Sequence, residues 1–180
     1  MSKRNAILAA ATRRFSRNGF KGTAMAQLSA DTGAATGTIF HHFRNKEDLF
    51  LHVLETIKGT LLNEFDRHQR NRPNKNGMET VEDAVAFYLY LAGTMEDQFL
   101  ILHRHFPFQM AETSQVCRSH LESIYTCLLD IFEEGIKKGI ADGSAMVDDP
   151  RKTAMVLFAM VDGVVRLNTY RIYDAGALFG

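Results

Sequence analysis

Apolar positions recur along this chain with a period near 3.6 residues, and no stretch shows the strict alternation of a half-buried strand. The first such pattern buries Ile7, Leu8, Ala11 and Phe15. It predicts a helix from about Lys3 to Asn18, closed by Gly19 with Phe20 packing back. Two short helices should follow. One runs from an N-cap at Thr23 through Met25 and Leu28 to about Thr32, where Gly33 ends it; the other spans Thr36 to His42. From Lys46 to about Arg70, Phe50, Val53, Leu54, Ile57, Leu61 and Phe65 line one side of a long helix, with Asn45 as its cap.

Beyond it, the run Asn71 to Gly77 is a loop by composition. A strongly apolar helix from about Glu79 to Met95 is predicted next, then a segment from Glu96 to His105 ended by Pro107. Between Ser114 and Lys138, Cys117, Leu121, Ile124, Leu128, Ile131 and Gly135 alternate spacings of four and three, a seam for another helix. A last helix is predicted from Pro150 to about Tyr173, in which Ala154 to Val161 is apolar on every side and so demands cover on both faces. In a body of this size, a second copy of the chain is the expected cover.

The chain as a whole carries no net charge, with 21 basic and 21 acidic residues. Its distribution changes that picture. Residues 1–48 hold eight basic side chains against three acidic ones, a net +5, and the remainder is −5. A basic head on an acidic body is the electrostatic footprint of a nucleic-acid-binding domain joined to one that does not bind nucleic acid. Within the head, Ile39 and Phe43 must face inward, which leaves Thr36, Gly37, Thr38, His41 and His42 to meet phosphates or base edges. Lys46 follows at a helix N-terminus, where an ammonium beside free backbone N–H groups suits a phosphate.

The run Gly33-x-x-x-Gly37-Thr38-Ile39-Phe40-His41-His42-Phe43-x-Asn45-Lys46-Glu47-Asp48-Leu49 resembles the end of the helix-turn-helix in the TetR family of transcriptional regulators. The likeness extends back through Ile7, Phe15, Gly19 and Thr23, about the first quarter of the chain. It implies an all-α fold, with a three-helix DNA-binding domain over residues 1–46 and a helical effector-binding and dimerisation domain over residues 47–180. In such regulators the positions of Thr38, Phe40, His42 and Lys46 touch phosphates, while those of Thr36, Gly37 and His41 lie against base edges. Phe40 stands where a tyrosine is common, Ala35 where a capping serine is, and Thr36 where a long polar residue is.

The resemblance implies a homodimer joined by the last two long helices, a palindromic double-stranded DNA operator, and release of a repressor by a small-molecule effector. Around Pro107 the body is dense in aromatic and pliable side chains, and Phe99, His103, Phe106, Met110 and Tyr125 are the candidate walls of the effector pocket. With no acidic cluster in the predicted core, an uncharged or anionic apolar effector is expected. The three departures from the family pattern motivate a second reading, an all-helical small-molecule carrier or sensor with a degenerate DNA-binding head.

No acid, base and nucleophile constellation stands out, so an enzyme is not expected. His103 and His105 point to different sides of a helix, which argues against a metal site with Cys117 and His120, and no cofactor is called for. Cys117 and Cys127, ten residues apart on one helix, would lie about 15 Å from each other, so both should be free thiols. The start of the chain is too weakly apolar for a signal peptide, and no later run reaches the roughly 20 residues of a membrane span. A cytoplasmic location is the expectation.

Overall fold

A computed structural model describes residues 2–70 and 75–172 of the chain. Among them are nine helices and no strand, bearing out the all-α expectation: α1 Lys3–Asn18, α2 Met25–Thr32, α3 Thr36–His42, α4 Lys46–Arg70, α5 Gly77–Thr94, α6 Glu96–His103, α7 His105–Ala111, α8 Gln115–Asp142 and α9 Pro150–Thr169. Two compact units form. One comprises residues 1–60 and 97–121, the other residues 61–96 and 122–180.

In the first unit, α1 packs on α2 and α3, and the periodic apolar positions of the head close into a core. Ile7, Leu8, Ala11, Phe15, Leu28, Ile39, Phe43, Leu49, Phe50 and Val53 are all buried. Ser2 caps α1 by accepting from the Asn5 N–H, and Gly19 ends it at φ +72, a conformation only glycine adopts without strain. The carbonyls left at that end are met from another element. Arg104 donates through Nε and Nη2 to the Ser16 carbonyl and through Nη2 to that of Arg17, so a cation sits at the negative end of the helix dipole. The Ser16 hydroxyl donates to Asp97 on α6, 2.6 Å away.

Two sequence expectations are corrected in this unit. Thr23 does not cap α2: it is buried, and its hydroxyl donates back to the Gly19 carbonyl at 2.9 Å, closing the α1–α2 turn. Ala24 takes the cap position instead, its N–H held by the Gln27 side chain. Pro107 does not end a helical segment either. The chain breaks at Arg104 and starts afresh as α7, with Pro107 in the first turn, where its missing N–H would have had no helical partner.

In the second unit, Leu61 and Phe65 of α4 are buried, as are Val81, Ala84, Tyr88 and Leu91 of α5 and Ile124, Leu128, Ile131 and Phe132 of α8. The seam read along α8 is buried from Cys117 to Gly135. Asn76 and Glu79 form a reciprocal capping box at the start of α5. There the α5 backbone lies so close to α8 that a Cβ on Gly77 would fall 1.9 Å from the Gly139 nitrogen, so no larger residue fits without moving a helix. Asp149 caps α9 and Pro150 begins it. The helix ends at Thr169, and Tyr173, where the pattern placed its end, lies outside the described residues, as does most of the loop predicted after Arg70.

Candidate nucleic-acid interface

The reading pair is α2 and α3, joined through Gly33 at φ +65. Side chains of α2 stitch the turn. The Ser29 hydroxyl donates to the Ala34 carbonyl at 2.7 Å, and the Thr32 hydroxyl donates to the Leu28 carbonyl while accepting from the Ala34 N–H. Ala35 caps α3 without a side-chain bond, the structural consequence of having no hydroxyl there. Its backbone carbonyl accepts from both Thr38 and Ile39.

Anchored by Ile39 and by Phe43 just beyond its end, α3 turns a polar flank outward. Thr36, Gly37, Phe40 and His41 are exposed, and Thr38 and His42 are half-buried. The two imidazoles approach edge to face, 5.4 Å between ring centres. Arg4 lies over the Phe43 ring and ties the start of α1 to the end of α3.

Charge in the head is partly committed to its own architecture. Arg14 and Asp31 form a two-pronged pair at 2.6 and 2.7 Å between α1 and α2. The guanidinium's hydrogen bonds hold the Asp31 carboxyl below its ordinary range and push Arg14 up. Lys46 donates to the carbonyls of Phe20 and Thr23, both at 2.9 Å, and lies 4.5 Å from the centre of the Phe20 ring. Of its three N–H donors two are thus engaged by the α1–α2 turn, leaving one to turn outward. Asn45 caps α4 by accepting from the Asp48 N–H, and Asp48 in return accepts from the Arg44 N–H. The further cations Lys3, Arg13, Arg17, Lys21 and Arg44 are exposed.

The candidate effector residues do not all gather. Phe106 and Met110 front an open cleft of about 780 Å³ in the first unit, beside Phe20, Lys21, Arg44 and Leu51. Phe106 stacks flat on Phe20 at 3.8 Å and edge-on against Phe50. Phe99 and His103 are buried one turn apart on α6, their rings 6.2 Å from each other. Tyr125 belongs to the second unit, where its ring meets Phe158. Composition could not locate one feature there. The Tyr88 hydroxyl on α5 donates to the Asp162 carboxylate on α9 at 2.5 Å, and Tyr88 also meets Phe158. Burial and the nearby carboxylate push the Tyr88 phenol well up, and burial does the same to Tyr125. Only the packing of α5 against α9 brings that carboxylate to the aromatic side chains, since 74 residues separate it from Tyr88.

Cys117 and Cys127 are free thiols, and burial raises the Cys117 thiol to about 11. Among the described residues no group of three or more His, Cys, Asp or Glu side chains is placed to hold a metal ion. Nor is any helix among them long and apolar enough to cross a membrane.

Residues 7–53 match the family described as bacterial regulatory proteins, tetR family. The chain is similar to the HTH-type transcriptional regulator YhgD of Bacillus subtilis, 26% identical over 160 residues, which cover 89% of this chain and 81% of that protein. Across the head alone it is 44% identical over 50 residues to the HTH-type transcriptional repressor AcnR of Corynebacterium glutamicum, 28% of this chain and 27% of AcnR. The transcriptional regulator FadR from Bacillus subtilis, solved in complex with stearoyl-CoA, shares the fold at a TM-score of 0.75 and 20% identity, over 97% of this chain and 92% of FadR. The matched segment runs from the first buried isoleucine of α1 into α4 and contains the whole reading pair, so the head of this chain carries the DNA-binding domain described for bacterial regulatory proteins of the tetR family, and the body shares the fold of such regulators.

Proposed function

We propose that this chain is a homodimeric transcriptional repressor that binds a palindromic operator and is released by a small-molecule effector. One observation carries the reading. A seven-residue helix is held in a basic head by Ile39 and Phe43 while Thr36, Gly37, Phe40 and His41 face solvent. That arrangement suits entry into a major groove, with the outward flank on base edges and Thr38, His42 and Lys46 nearer the phosphates. The exposed apolar side chains Met155, Val156, Met160 and Leu167 of α9 support a dimer through α8 and α9. Two heads would then meet half-sites about 34 Å apart, or a multiple of that.

For the effector, Phe106 and Met110 are the first walls to test, because their cleft adjoins the α1–α2 turn, which carries Phe20 and accepts hydrogen bonds from Lys46. Phe99 and His103 on α6 come next, and Tyr125 is tested separately, as part of the second unit. A guest that displaced the Phe106 ring from Phe20 would disturb the head directly, and α4 runs without a break from Lys46 to Arg70. Effector and operator would then weaken each other reciprocally. The carboxylate of Asp162 among Tyr88, Tyr125 and Phe158 favours a cationic or hydrogen-donating guest in that part of the body, against the expectation of an anionic one.

Selection of bound duplexes from a random DNA pool tests the reading. Enrichment of a palindrome is the expected result. Lys46→Ala should then lower the salt slope of binding by about one unit. A pool with no enriched sequence would leave the carrier or sensor reading in its place.

A further inference from the structure

We infer that the arginines at the end of α1 form a cradle for a doubly charged phosphate group carried by a small soluble ligand. Arg13, Arg14, Arg17 and Asn18 line a cleft of about 440 Å³ in the first unit, together with Asp31 of α2. The lining takes no residue from α3 or from the start of α4, the parts of the head proposed to meet the operator. Three guanidiniums against one carboxylate leave it with a net charge of +2.

The fold itself gains little from this crowding. Arg17 follows Arg13 by four positions and Arg14 by three, so like charges neighbour one another along one side of the helix, an arrangement that weakens it. A cation is favourable at a helix C-terminus, yet that role is filled here from another element. Arg104 donates to the Ser16 and Arg17 carbonyls. The one carboxylate of the lining is engaged already, its two oxygens accepting from Nε and Nη2 of Arg14 at 2.6 and 2.7 Å.

That pairing also prepares the site. Held by Asp31, the Arg14 guanidinium is fixed in orientation with three of its five N–H donors left over. Arg13 and Arg17, both exposed, bring their planar forks alongside, and the amide of exposed Asn18 adds two donors. So many donors suit a group rich in acceptor oxygens, and guanidinium meets phosphate through two parallel hydrogen bonds. A doubly charged terminal phosphate matches the +2 lining, whereas a phosphodiester or a carboxylate, with one charge, leaves half of it unanswered. The volume falls in the range of small-molecule sites, about 300–1,000 Å³, and leaves room for more of a ligand than its phosphate. Bound there, the dianion lowers the net +5 of residues 1–48 to +3, and with it the long-range attraction of the head for any duplex.

Phenyl phosphate and phenyl sulfate provide the test, since they share a shape and above neutral pH differ by one charge. Calorimetric titration of the full-length protein, at pH 8 and constant ionic strength, should show phenyl phosphate saturating one site per chain and phenyl sulfate binding far more weakly. Arg13→Gln and Arg17→Gln should each weaken phenyl phosphate roughly tenfold, the loss expected for a charge-assisted hydrogen bond. Both positions are exposed, so the circular dichroism of the variants should match that of the native chain. Lys3→Gln removes a cation of the same helix from outside the cleft and should bind phenyl phosphate as the native chain does. Absence of saturable binding, equal affinity for the sulfate, or the same loss in Lys3→Gln would overturn the inference. So would a fall of about one unit in the salt slope of duplex binding by Arg13→Gln, which would assign the arginine to the DNA backbone. The reading helix is untouched by either variant, so these outcomes leave the regulator reading standing.

Discussion

Gly37 lies exposed in the first turn of α3 with open space where a side chain would stand. Replacing it with alanine adds a methyl group that meets no protein atom and relieves the entropy cost of glycine within α3. Gly37→Ala should therefore raise stability by about 0.5–1 kcal/mol in chemical denaturation, while operator binding falls. A variant both more stable and fully competent for DNA would show that the absence of a side chain at Gly37 has no role in binding. At this scale the sequence was informative about Ile39 and Phe43, whose spacing demands burial, and about Asn45, whose cap is realised. It misplaced Thr23. A hydroxyl before a helix reads as a cap, and only the fold of the α1–α2 turn shows that hydroxyl pointing back to Gly19 instead.

Between elements, the head is held by a few polar cross-links. Arg104 joins the start of α7 to the last carbonyls of α1, beside the Phe106–Phe20 stack. Arg104→Ala should cost roughly 1–2 kcal/mol, since the hydrogen bonds come from a charged donor that is only half-buried. Hydrogen exchange should quicken first at the C-terminal turn of α1, and uniform quickening along the chain would argue against a local clamp. The Arg14–Asp31 pair makes a different prediction. Its carboxyl is held below the ordinary value in the folded chain, so its stabilisation is complete above the unfolded value near 4 and is lost as pH falls through the lower folded value. Asp31→Asn should therefore flatten the acid limb of a stability profile and leave the alkaline limb unchanged. These links were out of reach of the sequence, because arginine and aspartate 17 residues apart carry no sign that α1 and α2 will bring them together.

At the scale of the molecule, α9 presents a ridge that nothing among the described residues of one chain covers. Val156 and Met160 are 59% and 64% exposed on a helix whose opposite side, through Ala154, Phe158 and Val165, is buried. The proposed dimer predicts that Met160→Glu yields monomers in sedimentation and lowers operator affinity steeply, while helix content is kept. A dimer that survives this change would place the interface elsewhere. Before any coordinates, periodicity determined that the chain is helical, where its long helices run and which of their faces are buried, because covering an apolar stripe at 3.6-residue spacing depends on local order alone. Charge and the glycine and aromatic spacing of residues 33–49 determined which end meets DNA. Tertiary structure alone decided that Lys46 is shared with the carbonyls of the α1–α2 turn, that Phe106 seals against Phe20, and that Asp162 lies with Tyr88. Each of these joins residues distant along the chain, and a polar group's partner is set by which surfaces come to face one another when the helices pack.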